Sequence, residues 1–135
     1  TYVPNMIVWH HRREGLRRHA RQVGAYGLHR GYFARRLPET SRRLKYFLPS
    51  GVSVLALLTP MAFLPLSFSL FRLIIGFLWA AYGIALLLGL LDLMKHDGFL
   101  VGVVSLPYVL VTHIYYGLCF LRGFFMRREL VSRLR

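Results

Sequence analysis

The chain has 135 residues, 56% of them hydrophobic, and a formal net charge of +13. A mean hydropathy of +0.46 excludes an ordinary soluble domain, which must cover its core with polar surface. A single cysteine, Cys119, excludes both a disulfide within the chain and a cysteine metal site.

The charge is segregated. Residues 1–45 carry eleven Lys and Arg against Glu14 and Glu39, residues 46–121 are neutral, and residues 122–135 carry five Arg against Glu129. A basic arm that runs straight into bilayer-length apolar sequence points to membrane lipids or phosphorylated ligands as partners, and away from nucleic acid.

In chain order, Tyr2–His11 (YVPNMIVWHH) is a short run of β-formers that predicts one strand without a sheet. Such a strand needs partners from elsewhere, and the chain opens in mid-pattern with neither an initiator Met nor a signal-peptide layout. It therefore reads as the C-terminal piece of something longer. His10 and His11 precede Arg12 and Arg13. Adjacent histidines on a strand point to opposite faces, and the neighbouring positive charges oppose a cation, so a metal site is not expected. The expected role is phosphate contact, with the arginine forks donating to phosphate oxygens; a solvated basic turn is the plainer alternative.

Gly15–Arg36 predicts a helix, ended by Pro38, rich in Arg and carrying the aromatic anchors Tyr26, Tyr32 and Phe33. It is expected to lie amphipathically on a bilayer surface. Ala20, Gly24, Gly27, Gly31 and Ala34 recur at steps of four and three, which puts all five on one face where another backbone can approach closely. Three glycines inside a helix cost about 3 kcal/mol relative to alanine, so a docked element is expected to offset them.

Three apolar stretches follow, near Tyr46–Leu66, Phe71–Met94 and Phe99–Leu121, each reaching the length of about twenty residues needed for a helical span. Pro49, Pro60 and Pro65 interrupt the first, which leaves a kinked span or a re-entrant pair of short helices. Lys95–Gly98 predicts a tight polar turn, and Arg72 is placed to snorkel. Three spans put the basic arm and the basic tail on opposite sides, whereas positive-inside placement favours both in the cytoplasm; with the arm's larger charge deciding, the N-terminal arm is expected to be cytoplasmic, and two spans with a re-entrant first segment are the alternative that satisfies both ends.

The chemistry of a catalyst is missing. The five carboxylates, Glu14, Glu39, Asp92, Asp97 and Glu129, include no closely spaced pair able to hold Mg²⁺ or Mn²⁺ against a diphosphate. His113 is an intramembrane titratable group; a neutral imidazole bonded to a tyrosine or carbonyl across helices is favoured over a functional role. Gly117 and Gly123 suggest close helix packing.

VWHHRREGLRRHARQVGAYGLHRG, followed by spans and then THIYYGLCFLRGFF, resembles the C-terminal membrane region of family 2 glycosyltransferases, particularly those that build bacterial exopolysaccharides. The resemblance covers most of the chain. It implies an upstream catalytic domain holding the nucleotide-sugar donor, the acidic residues and an Mg or Mn ion, with no cofactor bound by this chain. The family's membrane-surface helix carries Gln, two residues, Arg and Trp. Gln22 matches the glutamine and Tyr26 stands at the tryptophan, which implies that these two contact the acceptor sugar. Ala25 departs from the arginine. Arg21 and His29, one turn either side of it, are the substitutes for contact with phosphate.

The expectation is thus an all-α membrane protein of the cell inner membrane, multi-pass. Residues 1–14 would end a catalytic domain, 15–45 form the interfacial helix and linker, 46–121 hold the transmembrane helices and 122–135 the basic tail. Its expected function is to anchor, and supply the acceptor side of, a glycosyltransferase that moves a sugar from a nucleotide-sugar to a lipid-linked or polysaccharide acceptor. The alternative is a non-enzymatic membrane subunit whose basic arm binds anionic lipid or a partner protein.

Overall fold

The structure, a computed structural model, describes residues 15–65, 68–127 and 129. Among them there are only helices and no strand; the expected strand at Tyr2–His11 lies outside the described residues. The first helix, α1, is Leu16–Arg36 and ends where Pro38 begins the four-residue α2, Pro38–Ser41. A 3-10 turn at Leu44–Tyr46 leads into α3, Leu48–Leu58, which passes into a second 3-10 segment, Thr59–Phe63. Two long helices complete the chain, α4 at Ser69–Asp97 and α5 at Phe99–Phe125.

Two helices, rather than the expected three, are long and apolar enough to cross a membrane. The difference lies in the first apolar stretch. Pro60 lacks the amide proton a continuing α-helix needs, and the chain tightens into 3-10 geometry after only eleven α-helical residues. The expected turn at Lys95–Gly98 also shrinks. Helix α4 continues through Asp97, and Gly98 alone makes the reversal, at φ 94° with its amide bonded to Met94 O at 3.1 Å.

The core lies where α1, α3 and α5 meet, around Phe120, which is fully buried. Four of the five residues of the small-residue face, Gly24, Gly27, Gly31 and Ala34, are the buried residues of α1, while Ala20 near its start is half-buried. The four face α5. A Cβ on Gly27 would come within 2.5 Å of Tyr116 O, and one on Gly31 would run into Phe120 O. The seam is reciprocal, since a Cβ on Gly123 would strike Leu28 O. Backbones this close exclude even a methyl group, so the glycines are required by packing.

Successive contacts climb both helices in the same direction. His19 meets Thr112, Gly24 meets Tyr115, Gly31 meets Phe120, and Arg35 donates to Phe125 O and Arg127 O. Helices α1 and α5 therefore run side by side and parallel. The basic helix, expected to dock a second element by its small-residue face, lies along α5 and is held there by the glycine seam. At its end the Arg35 guanidinium caps orphan carbonyls at the C-terminus of α5, where the helix dipole favours a cation.

Helix α3 packs on α5 at Gly117. Ser53, 1% exposed, donates to Ile114 O at 2.9 Å and to Pro49 O at 3.0 Å, over the flat surface left by Gly117. Phe47 packs edge-on against Phe120 at 4.7 Å. Helix α4 is joined to α5 more sparsely. Tyr82 OH and His113 Nδ1 share a hydrogen bond of 2.9 Å, the tyrosine-bonded imidazole that the sequence favours, and Met94 covers Gly102. Trp79 Nε1 donates to Thr59 Oγ1 at 2.8 Å, which ties α4 to the segment after α3.

Candidate functional site: a basic and aromatic groove beside the glycine seam

An open groove of about 840 Å³ runs between α1, the start of α3 and the middle of α5, lined among others by Tyr26, His29, Arg30, Lys45, Tyr46 and Tyr116. Its shape follows from the seam. With the glycines of α1 turned into α5, residues four apart on the adjoining face project beside them, and Gln22, Tyr26 and Arg30 fall on that row. The chain then reverses after Pro38 and brings Lys45 and Tyr46 back against this face.

Inside the groove the Arg30 guanidinium lies over the Tyr46 ring, 4.2 Å from its centroid, with Lys45 Nζ 5.5 Å from the same centroid. Stacking on an aromatic face orients a guanidinium without neutralising it, so its donors remain available to an oxyanion. Tyr26 is 62% exposed, and its hydroxyl accepts a hydrogen bond of 3.3 Å from Gln22 Nε2. His29 Nδ1 donates to Ala25 O at 2.7 Å, which leaves Nε2 as the free nitrogen of the ring. Together these groups offer aromatic faces and cationic or amide donors side by side. Such groups can stack on an apolar ring face and donate to oxyanions or hydroxyls at the same place.

Of the residues singled out in the sequence, Tyr26 and His29 line the groove, and Gln22 adjoins it through Tyr26. Arg21 is exposed on a part of α1 outside the groove lining. His10, His11, Arg12 and Arg13 lie outside the described residues. The sequence reading missed Arg30, Lys45, Tyr46 and Tyr116. Arg30 was available, being four residues beyond Tyr26; Lys45 and Tyr46 depend on the reversal at Pro38, and Tyr116 on the register of α1 along α5. Among the described residues no three of His, Cys, Asp and Glu come together as a group able to hold a metal ion. The divalent ion implied by the resemblance thus finds no ligand set in these residues, and nothing about the groove depends on one.

No known protein family, characterised protein or solved structure gives a significant match to this chain.

Proposed function

We propose that this chain is a membrane-embedded part of a glycosyltransferase, in which α4 and α5 cross the bilayer and the groove holds a phosphorylated or growing-polysaccharide acceptor. The observation that carries the reading is the groove itself, with Arg30 stacked on Tyr46 and Lys45, His29 and Tyr26 around it. Membrane crossing is supported by surface. Only 6% of the most apolar window in each of α4 and α5 is buried, whereas a core helix of a soluble protein would be covered.

The two-helix arrangement favours one orientation. Arg35, Arg72, Arg122 and Arg127 gather towards the open end of the hairpin. At its closed end, Lys95 is balanced by Asp92 and Asp97, with His96 paired to Asp92 at 3.6 Å. Positive-inside placement then puts both the end of α1 and the C-terminal tail in the cytoplasm, in the cell inner membrane. The conflict that three spans created disappears with two. Gln22 and Tyr26 orient the acceptor, Arg30 and Lys45 neutralise its phosphate, and the donor sugar and divalent ion belong to a catalytic domain upstream.

The test is sugar transfer in membranes containing the full-length protein, supplied with a panel of labelled nucleotide-sugars. Arg30→Gln is expected to lower transfer at least tenfold, equivalent to about 1.4 kcal/mol, and Gln22→Ala to lower it less, with membrane insertion unchanged in both. Undiminished transfer by Arg30→Gln would remove the groove from the acceptor site. The exposed arginines of α1 favour a second reading, a non-enzymatic subunit that binds an anionic partner. That reading predicts no transfer with any nucleotide-sugar.

A further inference from the structure

Charge and depth conflict on one face of the molecule. Tyr82 stands near the midpoint of Ser69–Asp97 and bonds His113, while the neighbouring Thr112 bonds His19 through a contact of 2.7 Å. These two bonds set the first turns of α1 level with the middle of α4, about 20 Å from either end at a rise of 1.5 Å per residue. From there α1 follows the second half of α5 down to Arg35 and Arg127.

Across this half of the hairpin the two outer faces are opposites. On α4, Phe77 and Leu78 are 74% and 44% exposed. On α1, Arg18, Arg21 and Ala25 are exposed at a corresponding depth. Arginines near a helix end reach the headgroups by snorkelling, but those at mid-depth border water or protein, because a guanidinium is costly in hydrocarbon. The same depth therefore cannot be lipid on both sides.

Accepting that α4 and α5 span the bilayer, we infer that the α1 face borders a water-filled vestibule in the leaflet on the Arg35 and Arg127 side. The vestibule is shielded from lipid by other protein, and the groove opens into it between the middle of the hairpin, at Thr112 and His113, and its open end, beyond Arg30. A hydrophilic phosphorylated ligand then reaches Arg30 and Tyr46 from the aqueous side without entering hydrocarbon.

The experiment uses the full-length protein in sealed vesicles, with Cys119→Ser as background and single Arg18→Cys, Arg21→Cys, Ala25→Cys, Phe77→Cys and Leu78→Cys changes. A membrane-impermeant sulfonated maleimide is added on the side of the C-terminal tail. The three α1 variants are expected to label at least about tenfold faster than the two α4 variants, the contrast between a guanidinium-lined aqueous face and hydrocarbon. Ala25→Cys keeps every arginine and guards against loss of fold. Should the α1 variants stay unlabelled in vesicles yet react after solubilisation, the vestibule is disproved while the spans stand. Labelling of Phe77→Cys and Leu78→Cys as fast as the α1 variants overturns the spans themselves, and the inference with them.

Discussion

Two of the seams on helix α5, those with α1 and α4, are built on different principles. Against α1 it packs backbone to backbone at Gly27, Gly31 and Gly123, with the Tyr115 and Cys119 side chains over Gly24, and none of the four has room for a methyl group. Against α4 it packs through side chains, and Gly76, Gly83 and Gly89 of α4 have nothing within 4 Å of where a Cβ would stand. Identical residues thus mean different things in one protein. In a medium where lipid tails match apolar side chains, close approach is what holds two helices together, so glycines that make such an approach mark a fixed joint. Glycines facing open space mark a surface left for lipid or for another protein.

The largest effect should come from the first seam. Gly31→Ala normally gains helix propensity, but here the new methyl meets the carbonyl and backbone of Phe120 and the amide of Phe124, none of which is the flexible end of a side chain. Overpacking against backbone should destabilise by about 1–3 kcal/mol, read as a lower unfolding midpoint in detergent. It should also loosen the groove, since Tyr26 and Arg30 are held on the same helix. A variant as stable as the parent would mean that α1 does not dock on α5.

Tyr82→Phe addresses the second seam, removing the hydroxyl shared with His113 while keeping the ring beside Trp79 and the imidazole. Hydrogen bonds between membrane helices average about 0.6 kcal/mol, so the same unfolding assay should register a loss of that size. A loss as large as that of Gly31→Ala would show that the α4 seam, despite its open packing, is the stronger of the two.

This contrast was only half legible in the sequence. The spacing of Ala20, Gly24, Gly27, Gly31 and Ala34 shows that one face of α1 must meet a close neighbour, because glycine repeated at helical steps has few other uses. It does not show which neighbour, since Gly117 and Gly123 of α5 satisfy the same rule as any other small residues. Hydropathy placed α4 and α5 to within a few residues of their observed ends. Over Tyr46–Leu66 it left a kinked span or a re-entrant pair open, and Pro60 ends the α-helix there after eleven residues, so no third long helix forms. The amphipathic pattern of α1 suited a helix lying flat on a surface equally well, because periodicity records which face is polar and not what direction the axis takes. The groove inherits that limit: Gln22, Tyr26 and His29 share a helix and were readable together, whereas Lys45, Tyr46 and Tyr116 join them only through tertiary register.

The smallest effect discriminates most cleanly between the seams, because it uses the substitution that harms the first of them. Gly83→Ala places a methyl where nothing lies within 4 Å, so no neighbour has to move. In water, alanine is favoured over glycine in a helix interior by about 1 kcal/mol. A bilayer reduces the difference, since a helix there keeps its backbone bonded whatever the side chain, and a gain of a few tenths of a kcal/mol remains. The sign is therefore opposite to that at Gly31. If Gly83→Ala instead destabilises the full-length protein while stabilising this chain alone, then the open face of α4 is covered by other protein and not by lipid.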